Sequence, residues 1–284
     1  MKEQDFIKII QEQTKSPYLG DDCAYIKDLG IVITQDNFIE DVHFKTEWAT
    51  PFQIGYKAAA VNTSDILASG AKPTYLSVGL SLPNVETKFI QDLYAGIQKG
   101  AYGAQVIGGD ITGSNKIFIS ITAIGTTKDR KISSRANAKE GFVIISSGDF
   151  GQSAQGLKEL QQGLKNTNSI RAHLEPILDE EFSKDIAEQI NTDYAMMDTS
   201  DGLADALFQI AQASNVKIKI DNIKEAFAAE DYKLVAAVPK EFLINIKNYK
   251  LLGSVDKFDG VYLEIGDFKY SSYNELKLYD HFGE

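Results

Sequence analysis

The sequence contains a single cysteine, Cys23, in 284 residues, which excludes an internal disulfide and any cysteine-cluster zinc site. Its three histidines are scattered, so a histidine-based zinc site is not expected either. No apolar run approaches the roughly 20 residues that a membrane span requires. The opening M-K-E-Q-D-F-I-K-I-I-Q-E-Q reads as a polar amphipathic helix and not as a signal peptide, so a cytoplasmic protein is expected. Positive charge is in short supply: 29 Lys and Arg against 40 Asp and Glu leave a formal charge of −11. That balance argues against nucleic acid or an anionic membrane surface as partner. An acidic protein can still bind a nucleotide when divalent cations mediate the contact. The phosphate loop G-x-x-x-x-G-K-[ST] is absent, so any phosphate site must be built in another way.

What is present is a soluble composition, 43% hydrophobic and 24% charged, with length enough for one large or two ordinary domains. A polar, apolar-poor connector at 133–141 is the natural boundary, giving domains 1–137 and 138–284. Before it, helices are expected at 3–13, across Tyr56 to Pro73 and at 85–103. Strands are expected at 31–34, 74–82, 104–107 and 117–127. After it, strands are expected at 142–146, 194–197 and 216–220, helices at 152–164, 180–190 and 203–214, and a loop at 166–169. The tail reads as strands with one helix. Strands and helices mix without strict alternation, so the fold class is α+β and not doubly wound.

The chain is organised around Y-K-A-A-A-V-N-T-S-D-I-L-A-S-G-A-K-P, residues 56–73. Its small and apolar residues recur at helical spacing, yet Asn62, Thr63, Ser64 and Asp65 interrupt it where helix propensity disfavours them. Three other acid-centred stretches accompany it. Gly20-Asp21-Asp22 reads as an Asx turn or as a pair of ligand carboxylates. Gly108-Gly109-Asp110 reads as a hairpin-like turn or as a close backbone approach to a ligand. Asp198-Thr199-Ser200-Asp201-Gly202 opens a helix, with Ser200 or Asp201 available as cap. Asp36 ends a strand. Acids gathered in one cleft repel each other unless a cation lies between them, and Mg²⁺ shared with phosphates suits such hard oxygens. His43 is read as a ligand contact or a surface residue, and His173 as a surface residue. Arg135, in the connector, can reach a phosphate.

Taken jointly and in order, G-D-D-C-A, D-V-H-F, A-V-N-T-S-D-I-L-A-S-G-A-K-P, I-G-G-D and D-T-S-D-G-L resemble the thiamine-monophosphate kinases. That family lies in the superfamily of aminoimidazole-ribonucleotide synthetase and selenophosphate synthetase. The resemblance runs from Gly20 to Gly202 and resumes at Glu230-Asp231-Tyr232 and at Tyr279-Asp280-His281-Phe282. It implies ATP-dependent phosphorylation of thiamine monophosphate by direct transfer, with no covalent nucleophile. It implies several Mg²⁺ ions held by Asp22, Thr34, Asp36, Asp65, Asp110, Asp198 and Asp201. ATP contacts would fall on Tyr102, Gly109, Asp110, Arg135 and Ser200, and acceptor contacts on His43, Glu230 and Tyr279. It also implies two α+β domains and a homodimer whose N-terminal sheets join in a β-barrel. Gln35 stands where the family carries Thr or Ser, and G-G-E-D-Y-E-L becomes A-A-E-D-Y-K-L at 228–234. The chain is also short between Ile220 and Glu230. The competing readings are a superfamily enzyme acting on another small acceptor and a non-catalytic nucleotide-binding regulator.

Overall fold

A computed structural model of the chain describes residues 3–279, so Asp280-His281-Phe282 of the last motif lies outside it. The first half runs α1 (Glu3–Thr14), β1 (Ala24–Ile26), β2 (Ile31–Ile39), α2 (Pro51–Ala68), β3 (Lys72–Leu82), α3 (Thr87–Gly100), β4 (Gln105–Gly113) and β5 (Phe118–Thr126). The five strands form one sheet in the order β1-β2-β5-β3-β4. Parallel neighbours need a crossover, and α3 supplies it between β3 and β4. The second half runs β6 (Val143–Ser146), α4 (Gln152–Gln161), α5 (Asn168–Leu174), α6 (Glu180–Gln189), β7 (Ala195–Asp198), α7 (Leu203–Ser214), β8 (Val216–Ile220), β9 (Leu234–Val238), β10 (Lys250–Lys257), β11 (Leu263–Ile265) and β12 (Phe268–Tyr270). Its sheet has the order β12-β11-β8-β10-β6-β9-β7. The chain is therefore α+β. Among the described residues neither sheet closes on itself, so they form no barrel within one chain.

The central helix starts earlier than its alanine pattern suggests. Thr50 caps α2, Pro51 takes the first position, and Gln53 returns the bond to complete a capping box. One side of α2, with Ile54, Ala58, Ala59 and Ile66, packs on the five-stranded sheet through Leu76, Val78, Ile119 and Ile121. The other side, with Tyr56, Ala60, Leu67 and Ala68, packs on Phe182 and Ile186 of α6 and on Ile145, Met196 and Leu234. A helix covered all round has no polar face to show, which is why small and apolar residues surround it. Glycines bring α3 against it: a Cβ on Gly55, Gly96 or Gly100 would collide with the facing helix's carbonyls. In β9, Val235 and Ala237 join the core under α7, while Leu234, Ala236 and Val238 face α6. Burial on both faces explains its continuous apolar run.

Three expectations change. Residues 168–174 are helical, not a loop, and Thr167 caps them. Gly108-Gly109-Asp110 is not a turn but the middle of β4. Gly109 is required there because a Cβ would fall on the carbonyl of Val78 in β3, so the close approach is to a neighbouring strand. Beyond α7 the described residues hold strands and 3-10 turns, not a further α-helix. Among the described residues, no helix is long and apolar enough to cross a membrane.

Candidate active site

The polar interruption of α2 ties the two sheets together. Asn62 donates from Nδ2 to the carbonyl of Ala58 (3.0 Å) and accepts the backbone N–H of Asp36 in β2 (3.0 Å). Thr63 donates back to the carbonyl of Ala59 (2.8 Å), which satisfies its buried hydroxyl. Ser64 donates to Asp198 Oδ2 at the end of β7, and Asp65 Oδ2 accepts from Thr34 Oγ1 of β2 (2.7 Å). Cys23, the buried thiol beside the first acidic pair, donates to the carbonyl of Asp65 (3.3 Å).

These bonds gather carboxylates that sequence separates by up to 176 positions. Asp22, Asp65 and Asp198 each place an oxygen within 4.8 Å of the others. Two like charges at that distance repel by roughly 3 kcal/mol at an effective dielectric near 20. Burial, followed by Asp36, Asp198 and Asp22, pushes the Asp65 carboxyl well above its ordinary value. Burial and Asp22 push Asp198 to about 7 and Asp36 to about 6. Asp22 is also raised by burial, although Arg135 opposes this. Arg135 Nη2 donates to Asp22 (2.6 Å) and its backbone N–H to Asp21 (2.7 Å), while its Nη1 donates to Gln209. Two buried side-chain atoms at this site, Asp36 Oδ2 and Arg135 Nε, have no hydrogen-bond partner among the described residues. The donor set is hard oxygen, its charges are short of cations, and one carboxylate oxygen is unused. It fits a divalent metal such as Mg²⁺.

The acids lie between two cavities. Asp22 lines a small one of about 140 Å³, with Tyr18, Tyr25, Ser134 and Met196. Asp36 lines a cleft of about 610 Å³ that runs along α2 past Lys57 and Asn62. The cleft is also lined by Ser200, Asp201, His43, Glu230 and Tyr279. The structure thus brings together most of the residues singled out from sequence. Gly202 occupies the cap position of α7, so neither Ser200 nor Asp201 does. Asp110 and Gly109 lie elsewhere, on exposed β4. Tyr102 is also apart, with its hydroxyl accepting from the Leu178 N–H (2.8 Å). Gln35 is occupied on the sheet, bonded to Ser120 and Thr122.

Two residues that sequence reasoning missed complete the cleft. Lys57 of α2 is 2% exposed, and its ammonium lies 2.9 Å from Glu230. His173 of α5, expected on the surface, is 4% exposed between Lys57 and Glu230. Burial, then Lys57, lowers its pKa to about 4, so its imidazole is neutral. The signal was faint: a lysine amid the apolar positions of a buried helix. The altered 228–234 segment is accommodated. Its left-handed residues are Glu230 and Tyr232, not the two alanines that replace glycines. Asp231 accepts backbone N–H groups of Gly151 and Ser153 at the start of α4, and Lys233 pairs with Asp179 (3.0 Å).

Residues 20–127 match the sequence model described as AIR synthase related protein, N-terminal domain. A thiamine-monophosphate kinase of Aquifex aeolicus is 30% identical, over 91% of this chain and 92% of the relative. One from Bacillus subtilis is 34% identical over 78% of each. The solved structure of AaThiL complexed with AMPPCP and TMP superimposes with a TM-score of 0.88. It is 28% identical and covers 99% of this chain and 97% of the other.

Proposed function

Because the chain belongs to the thiamine-monophosphate kinase family, we propose that its acidic cleft is where ATP and thiamine monophosphate meet for direct, in-line transfer. The chain is a phosphotransferase that moves the terminal phosphoryl group of ATP onto thiamine monophosphate, giving thiamine diphosphate and ADP. The observation that carries the site assignment is the Asp22–Asp65–Asp198 cluster, half-buried to buried, together with a 610 Å³ cleft lined by Asp36 and Asp201.

Asp22, Asp36, Asp65 and Asp198 would hold Mg²⁺, with Thr34 fixing Asp65 and Asp201 at the cleft wall. When bound, such ions offset the repulsion between two anionic substrates and neutralise charge on the transferring group. Thr34 and Ser64 hold the Asp65 and Asp198 carboxylates in place before any ligand arrives. Arg135, pinned by Asp22 and Gln209, offers its planar guanidinium to a nucleotide phosphate. Ser200 faces the cleft, and its backbone is fixed by Asp198 and Glu230. The acceptor is a phosphate monoester, whose oxygen is already a competent nucleophile near neutral pH, so no strong base is needed. His43, Glu230 and Tyr279 line the acceptor end. Tyr102, Gly109 and Asp110 lie outside the lining of this cleft.

Three broader assignments accompany it. Residues 1–137 form an N-terminal metal- and nucleotide-binding domain and 138–284 a C-terminal domain that adds Asp198, Asp201 and Glu230. The protein is a homodimer joined through its N-terminal sheets. Support for this is the open edge at β4, where Ile107 and Ile111 are 58% and 67% exposed. A cytoplasmic location agrees with the lone, reduced Cys23. The function is tested by product analysis with Mg-ATP and an acceptor panel. Thiamine monophosphate should give thiamine diphosphate and free thiamine should not react; efficient phosphorylation of free thiamine would refute the assignment.

A further inference from the structure

The 610 Å³ cleft contains an ion-paired group that the metal site does not use. Lys57 projects from α2 with its side chain 3% exposed, and its Nζ lies 2.9 Å from Glu230 Oε1. His173, buried on α5, stands 3.5 Å from Lys57 through Nε2. Its Nδ1 lies 3.0 Å from Ser153 Oγ on α4 and 3.6 Å from Glu230 Oε2. Two helices therefore bring side chains to one carboxylate, and a third holds the imidazole. A buried lysine is stable only when paired, so this arrangement must be maintained by the fold.

Glu230 itself is held firmly. Its backbone is left-handed (φ +64), a strained conformation for a residue with a side chain. Its N–H donates to the carbonyl of Ser200 (2.7 Å), in the loop between Asp198 and Asp201. Its side chain is 30% exposed, whereas Lys57 and His173 behind it are closed off. The carboxylate is thus the open end of an otherwise buried group, on the wall of the cleft.

We propose that Lys57 and His173 are positioning residues that fix the direction of the Glu230 carboxylate, so that it faces the cationic or hydrogen-bond-donating part of the acceptor. The proposal rests on the activity described above and adds residues to its acceptor end. Burial alone would raise the Glu230 pKa, but the Lys57 ammonium beside it outweighs this, and the carboxyl lies below its ordinary range. The buried phenol of Tyr232 also faces Glu230 and is pushed up, which keeps it neutral beside that anion. A lysine serving a phosphate would instead stand open to the cleft; here the ammonium is spent on a protein carboxylate, and the carboxylate faces outward.

The test is steady-state kinetics of wild type, Lys57→Met, Lys57→Arg, Glu230→Gln and the Lys57→Met/Glu230→Gln double variant, with each substrate varied in turn. Glu230→Gln should raise the acceptor KM roughly tenfold or more, the scale of one charge-assisted hydrogen bond. Lys57→Met should raise it by a similar factor, while kcat and the KM for ATP change much less. Lys57→Arg should restore most of the acceptor KM. The double variant should be no worse than either single one, because both remove the same interaction. An acceptor KM unaltered in Lys57→Met, or a loss confined to kcat or the ATP KM, overturns the assignment of Lys57 while wild-type turnover leaves the activity standing. Absence of thiamine diphosphate from the wild type refutes the activity, and this proposal with it.

Discussion

Asp65→Asn separates a metal-binding acid from a structural one. Asp65 is half-buried, one of its oxygens lies within 4.8 Å of oxygens of Asp22 and Asp198, and it accepts a hydrogen bond from Thr34. Asparagine keeps the shape and an acceptor for the Thr34 hydroxyl while removing one like charge. Each ionised neighbour at that distance opposes Asp65 by roughly 3 kcal/mol. Proton uptake already relieves part of this, because burial and the neighbouring acids raise the carboxyl well above its ordinary value. The expected net gain in the metal-free protein is therefore about 1–3 kcal/mol, or roughly 2–10 °C in melting temperature for a chain of this size. Mg-nucleotide acts oppositely. At ~100-fold excess over Kd it should stabilise wild type by about 2.7 kcal/mol, and the variant should lose most of that gain. The assay is four melts: wild type and variant in chelator, and each with Mg²⁺ and a non-hydrolysable ATP analogue. A variant that melts well below wild type in chelator and keeps the full ligand shift would refute the reasoning and make Asp65 a packing residue.

Other outcomes follow from the same geometry. Asp198 is raised to about 7 and Asp36 to about 6, each from 3.8, so the folded metal-free protein binds protons more tightly than the unfolded chain. Their stabilisation is fully present below about 3.8 and is lost as pH rises through 6 and 7. His173, lowered from 6.5 to about 4, works the other way, losing stability as pH falls through that window, so wild type is compared with Asp198→Asn. Denaturant midpoints in chelator should show wild type losing up to roughly 4 kcal/mol relative to the variant between pH 4 and 7; parallel profiles would contradict this. Incubation with γ-labelled ATP and no acceptor should leave the denatured protein unlabelled, and stoichiometric label on Ser200 would overturn direct transfer. Ile111→Glu should make the protein monomeric by sedimentation, and an unchanged dimer would remove the β4 edge from the interface.

Much of this architecture was legible because local signals agreed with burial. The span of α7 is written in its apolar spacing and ends where Asn215 turns left-handed, and β8 follows at once. The start of α2 was equally legible in Thr50-Pro51 and Gln53 but was outweighed by the alanine run that follows. The seven-residue α5 was concealed by Asn and Ser, which favour loops as readily as the first turn after a cap. Asp65 stood out as an acid that gains nothing structurally in a small-residue helix, whereas Asp22 and Asp198 had turn and cap readings beside the ligand reading and stood out only jointly. Lys57 and His173 did not, because they meet across 116 positions and only the assembled fold buries them together. The Gly108-Gly109-Asp110 stretch was misplaced for the opposite reason: glycine signals a turn locally, whereas Gly109 serves contact with β3.

The central claim is that the clustered acids beside this cleft hold the metal that the transfer requires, and paired product analysis tests it most directly. Wild type and Asp198→Asn are given equal ATP, thiamine monophosphate and Mg²⁺, and thiamine diphosphate and ADP are quantified together over time. The account predicts equal amounts of the two products from wild type, none in chelator, and a fall of at least about a hundredfold in the variant, the scale of losing one electrostatic anchor of the transition state. Thiamine diphosphate formed by Asp198→Asn at a rate near that of wild type would contradict it.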